Sequence, residues 1–168
     1  MRIVVPYTQI HPSTAKSLEN YEVEYIDVSQ TVESYWRLMV SIWEKRESTL
    51  IIEHDMEVND RAIRQAKYCK CEWSVSPYFG PAKQVLSAAL GCTRFRSSFM
   101  AANADLLAKV GDIDDAAPTL VKRDWQRLDA RMLGILRDRG YKPHIHETVL
   151  HHHVYSGICA CGGTHERI

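Results

Sequence analysis

Apolar and polar positions fall into blocks along this chain, and the period of each block changes in an ordered way. Ile3, Val4 and Val5 make Arg2 to Pro6 a β-branched apolar run, which predicts a buried strand. Tyr7 to Thr14 is polar, with Pro12 and candidate caps at Ser13 and Thr14, so a loop and a short helix are expected next. Val23 to Val28 predicts a second strand. From Thr31 to Arg46, the residues Val32, Tyr35, Trp36, Met39, Val40 and Trp43 recur at helical spacing, with Thr31 or Ser29 able to cap the helix. Thr49 to Ile52 is a third apolar strand, and it runs straight into Glu53-His54-Asp55.

The second half is more punctuated. Asn59 to Lys67 reads as a short helix or turn, and Cys69 to Gly80 as an aromatic-rich loop with one short strand. Pro81 at a first helical position, followed by Ala82 to Leu90 and stopped by Gly91, predicts a helix. Thr93 to Met100 is expected to be a strand, Asn103 to Val110 a short helix, and Gly111 to Thr119 an acidic loop. Trp125, Leu128, Met132, Leu133, Ile135 and Leu136 form the apolar side of a helix from Asp124 to Arg139, with Gly140 after it. Tyr141 to His146 and Val149 to Tyr155 read as strands, and residues 156–168 as a Gly- and Cys-containing tail after a domain spanning residues 1–155.

Strand, helix, strand, helix, strand in the opening fifty-odd residues implies an α/β fold: a single Rossmann-like domain with a mixed, mostly parallel sheet flanked by helices. Ligands of such sheets collect beyond the carboxyl ends of the strands, so Pro6-Tyr7-Thr8 and Glu53-His54-Asp55 should lie near one another.

Composition narrows the function. Lys plus Arg (21) balance Asp plus Glu (21), which gives no global field to steer polyanions and argues against a nucleic-acid partner. The N-terminal apolar stretch is too short for a signal peptide, and no run approaches the roughly 20 apolar residues of a membrane span. A cytoplasmic protein with reduced cysteines is expected, and the odd cysteine count of 5 agrees.

Four constellations carry candidate chemistry. Residues 53 and 55 would share one side of an extended chain, so both carboxylates could face one site and offer oxygen ligands to magnesium or manganese. Five of the 8 histidines, His144, His146, His151, His152 and His153, lie within ten residues, and His151 and His153 share one strand face. Asp124 and Asp129 stand near the start of the last helix, where the dipole favours carboxylates and a rigid backbone suits a general base; Trp125 could stack on a sugar face. Finally, Cys69-x-Cys71 and Cys159-x-Cys161 could together make a zinc-thiolate site.

The V-V-P-Y-T strand, the Trp-bearing helix, the apolar strand into E-H-D, the helix opening at D-W and the terminal His-bearing strand occur in one order over residues 2–155. Together they resemble glycosyltransferases of the GT-A fold, in the compact forms found in bacteria and phages. The resemblance implies a nucleotide-sugar donor (UDP- or GDP-sugar), a manganese or magnesium ion, and an acceptor that is a protein, such as a phage structural protein, or a glycan. It implies Asp55 as metal ligand, Glu53 beside the donor ribose or a metal-bound water, and His151 or His153 completing the metal site. It also maps the base-binding loop to Pro6, Tyr7 and Thr8, and an inverting base to Asp129 or Asp124. Two other readings of the same residues are a metal-dependent hydrolase that activates water and a non-catalytic nucleotide- or carbohydrate-binding module.

Overall fold

The computed structural model describes residues 1–79, 85–86, 90–112 and 128–152, with side chains omitted at 85, 86 and 112. The chain begins with β1 (Arg2–Tyr7), α1 (Pro12–Ser17), β2 (Glu24–Asp27), α2 (Ser34–Lys45) and β3 (Thr49–Ile52). β2 and β3 both pair parallel to β1, which therefore sits between them. The chain continues with β4 (Met56–Glu57), α3 (Asp60–Tyr68), β5 (Trp73–Val75), β6 (Tyr78–Phe79), β7 (Val85–Leu86) and β8 (Cys92–Phe95). After α4 (Ser97–Ala102), α5 (Leu106–Asp112) and α6 (Leu128–Asp138), it closes with β9 (His144–Ile145) and β10 (Leu150–His151).

Six strands form the main sheet in the order β2-β1-β3-β8-β5-β9. β8 is antiparallel to both of its neighbours, and β9 runs parallel to β5, so five strands point one way and one points back. The mixed, mostly parallel α/β sheet expected from the sequence is what forms. Alternation along the strands then builds a core on each side. Val4 and Ile51 face one way, onto Met39, Ile42 and Trp43 of α2 and onto Phe99, Leu106 and Met132 of α4, α5 and α6. Ile3, Val5, Leu50 and Ile52 face the other, onto Leu18 beyond α1 and Ala62, Ile63 and Ala66 of α3.

Several elements differ from their sequence expectation. The first long helix starts at Ser34 rather than near Thr31, and its N-cap position, Glu33, makes no side-chain capping bond; Thr31 instead turns onto Ser34. Within the segment expected to be helical from Pro81 to Leu90, Val85–Leu86 is a strand paired with Tyr78–Phe79. That hairpin partner supplies backbone bonds that local periodicity does not register; residues 81–84 and 87–89 lie outside the described ones. The strand expected over Thr93 to Met100 ends at Phe95 and gives way to α4, because Phe95 and Phe99 stack one helical turn apart in the core. Of the helix expected over Asp124 to Arg139, residues 128–138 are helical and residues 124–127 fall outside the described ones, as does the 156–168 tail. No helix among the described residues is long and apolar enough to cross a membrane.

Candidate functional site

The carboxyl ends of β1 and β3 lie side by side, and the chain leaves both of them toward the same edge of the sheet. Pro6 and Thr8 from the first, and Glu53, His54 and Asp55 from the second, line one pocket with Val28 and Tyr35. It holds about 80 Å³. Tyr7 is not among the lining residues; alternation along β1 turns it toward the opposite face of the sheet. A cleft of about 410 Å³ between α2 and α5, lined by Trp36, Val40, Trp43 and Leu107, contains no cluster of catalytic groups.

Glu53-His54-Asp55 is not extended. The Met56 amide donates to Glu53 O at 3.0 Å, so the tripeptide forms a tight turn, and the side-by-side geometry of residues 53 and 55 expected from an extended strand is replaced by that of the turn. Its backbone is pinned from three directions. Glu53 N–H donates to Gly91 O (2.8 Å), His54 O accepts from His11 N–H (2.9 Å), and Asp55 O accepts from His152 N–H (2.8 Å). His11 and His152 stack on each other with ring centroids 4.1 Å apart, and His152 Nε2 lies 2.9 Å from Glu57 Oε2. The carboxylates are thus carried on a rigid backbone, the condition for a preorganised site.

Asp55 and His151, 96 residues apart in sequence, meet at 3.0 Å between Oδ2 and Nε2. The contact follows from β10 pairing antiparallel with β4, the strand that begins one residue after Asp55. The other ring nitrogen, His151 Nδ1, lies 3.1 Å from Phe79 O. A carbonyl oxygen can only accept, so Nδ1 carries the proton and donates. In the neutral imidazole, Nε2 and Asp55 Oδ2 are then two acceptors facing each other. Such a pair needs either a second proton on His151 or a cation shared between the two groups. Asp55 Oδ1, buried with no hydrogen-bond partner, adds a second unused acceptor to the same spot. This donor set, a carboxylate oxygen and an imidazole whose far N–H is held by a carbonyl, fits a divalent cation.

Electrostatics around the pair follow from burial. Burial alone would raise the Asp55 carboxyl, but the bond to His151 and its charge outweigh that and leave it below the ordinary value. Burial opposes protonation of His151, whereas Asp55 favours it and wins, so the imidazole is raised. Glu53 receives the Tyr35 hydroxyl at 2.8 Å, yet burial and the neighbouring Asp55 raise its carboxyl to about 7. Asp129, in the first turn of α6, also raises Glu53 and the Tyr78 phenol, which puts that turn on the same side of the sheet edge. Burial raises the Asp129 carboxyl too, against the Ala130 N–H donated to it at 2.6 Å.

Of the residues singled out from sequence, the fold brings together Pro6, Thr8, Glu53, Asp55 and His151, and Asp129 acts on Glu53 through its charge. Asp124 and His153 lie outside the described residues. Sequence reasoning missed Tyr35 and Tyr78. Tyr35 looked like one more apolar position on a helix face, and Tyr78 packs its ring edge-on against His151 at 4.8 Å from an aromatic-rich stretch with no period of its own.

No known protein family matches this chain, and no curated protein does. Solved structures similar to it include the following two. One is A197 from STIV, at 11% identity and TM-score 0.52, over 93% of this chain and 87% of that one. The other is a glycosyltransferase involved in the glycosylation of the major capsid of PBCV-1, at 8% identity and TM-score 0.49, over 87% of this chain and 81% of that one. At these identities the likeness to A197 is one of fold alone, and the chemistry of the site stands on its own residues.

Proposed function

We propose that this protein is a metal-dependent glycosyltransferase that moves a sugar from a nucleotide-diphosphate donor to an acceptor hydroxyl. The observation that carries the reading is the meeting of Asp55 with His151 at 3.0 Å, beside a pocket formed by the loop after the first strand. In this reading Asp55 and His151 hold manganese or magnesium, with His153 as a further candidate ligand. The bound cation supplies Lewis-acid neutralisation of the charge that develops on the departing nucleoside diphosphate. Pro6 and Thr8 hold the base of a UDP- or GDP-sugar. Glu53 meets the ribose or a metal-bound water. Asp129, its carboxyl raised toward the working range of a general base, takes the proton from the acceptor hydroxyl as the oxygen attacks the anomeric carbon; Asp124 is the other candidate for that task. The acceptor is a protein or a glycan.

Thermal stabilisation tests the reading, because a ligand that binds only the folded chain raises its melting temperature. Manganese plus UDP or GDP is expected to stabilise the chain more than either component alone. Asp55→Asn should abolish the joint effect and lower sugar transfer by about 100-fold or more while the far-ultraviolet dichroism is kept. Stabilisation by zinc or iron alone, with no response to any nucleoside diphosphate, would instead favour a hydrolase. Nucleotide binding without transfer to any acceptor would favour a binding module.

A further inference from the structure

On the far side of the sheet, at its β9 edge, Cys69, His144 and His146 converge. One ligand atom from each lies within 4.8 Å of the other two. None of the three takes part in the chemistry proposed above. Cys69 follows the last turn of α3, and the two histidines flank Ile145 on the short edge strand β9, so both imidazoles leave the same face of that strand. Their rings meet edge-to-face with centroids 4.8 Å apart. His146 Nε2 is buried and has no hydrogen-bond partner, an uncompensated polar atom aimed away from solvent.

A second cysteine stands beside Cys69. Cys71 donates its backbone N–H to Cys69 Sγ at 3.4 Å, and its thiol also interacts with that sulfur. The loop that carries the two cysteines is held by arginines of β8 and the residue after it. Arg94 donates to Cys69 O at 3.1 Å and to Cys71 O, and Arg96 donates to Lys70 O at 2.9 Å. All three carbonyls of Cys69-Lys70-Cys71 are therefore fixed by guanidinium groups, which hold the loop in place. A tetrahedral zinc site with bonds of about 2.0–2.3 Å places its donors about 3.3–3.8 Å apart. A contraction of about an ångström would bring Cys69, His144 and His146 to that spacing and leave the fourth position to Cys71.

We infer that Cys69, Cys71, His144 and His146 form a structural zinc site that staples the edge strand β9 to the end of α3. Mixed thiolate and imidazole donors select zinc over the hard cations that suit Asp55. The staple has something to do: β9 is two residues long and joins the sheet through two residue pairs to β5, a ladder too short to hold itself. It is also the segment that leads, five residues beyond His146, to His151. The inference is independent of the glycosyltransferase reading, since a structural zinc would serve any activity of this fold.

The test is the metal content of the purified full chain, by elemental mass spectrometry after zinc loading and dialysis. About one tightly held zinc per chain is expected. His144→Ala is the most informative variant, because His144 is exposed and its loss leaves the core intact; it should release most of the zinc, as should Cys69→Ser. Cobalt added to the metal-free chain should give the intense visible bands of a tetrahedral ion and a thiolate-to-cobalt charge-transfer band. Asp55→Asn should keep those bands, and Cys69→Ser should lose them. A chain that takes up no zinc at all overturns the proposal. So does zinc retained in both His144→Ala and Cys69→Ser, or zinc lost in Asp55→Asn instead. Zinc retained in His144→Ala but lost in a Cys159→Ser/Cys161→Ser chain also rejects it, and assigns the metal to a four-thiolate site.

Discussion

Glu53 shares its surroundings with Asp55, Asp129 and the Tyr35 hydroxyl, and burial with two acidic neighbours raises its carboxyl from the ordinary 4.5 to about 7. A carboxyl that binds its proton more tightly in the folded chain than in the unfolded one adds stability at low pH. That contribution is complete below about pH 4.5, declines as the pH rises, and is gone above about 7. Its size is about 3 kcal/mol, the free energy of moving the carboxyl from 4.5 to about 7. In metal-free buffer, Glu53→Gln should therefore flatten the fall in melting temperature between pH 5 and pH 8. At pH 8 the variant should melt roughly 5–10 °C above the parent chain. Parallel profiles for the two chains, followed by scanning calorimetry, would contradict a buried, proton-holding Glu53.

At the scale of elements, the site depends on how closely β8 approaches the turn after β3. Gly91, just before β8, accepts the Glu53 amide at 2.8 Å, and a Cβ at that position would run into the buried Tyr78 ring and the Met56 side chain. Tyr78 in turn packs on His151. Gly91→Ala is expected to cost about 1–3 kcal/mol in urea unfolding, the usual penalty of overpacking, and, if the proposed cation site is right, to weaken manganese binding because Tyr78 packs on His151. Wild-type stability with wild-type metal affinity would show that the contact yields without consequence. The same elements explain what the sequence conveyed and what it withheld. β1, β3 and α2 were legible because long apolar runs and a helical stripe are set locally. So was the pairing of the first-strand loop with Glu53 and Asp55, which follows from parallel strands alone. β4, β6, β7, β9 and β10 were not legible at their true lengths: each is a two-residue strand whose existence depends on a partner elsewhere in the chain. The turn at Glu53-His54-Asp55 was hidden for the same reason, since the bonds that pin it come from His11, Gly91 and His152. The approach of His144 and His146 to Cys69 rather than to Asp55 was equally out of reach of a histidine count.

Across the molecule as a whole, the two core layers differ in character. The layer beneath α2 and α6 is aromatic: Phe99 stacks on Phe95 at 5.6 Å, lies 6.1 Å from Trp73 and meets Tyr141 edge-on at 5.0 Å. It is 1% exposed. Phe99→Ala should therefore cost about 3–5 kcal/mol, measured by urea titration with an unchanged m-value. A cost under about 1 kcal/mol would mean that this layer is loosely packed. The layer beneath α1 and α3 is aliphatic and carries the Asp55–His151 junction at its edge. That junction joins residues 96 positions apart. A chain still emerging from the ribosome can therefore complete β1, β2 and β3 long before Asp55 meets its partner, because the junction closes only once His151 has been made.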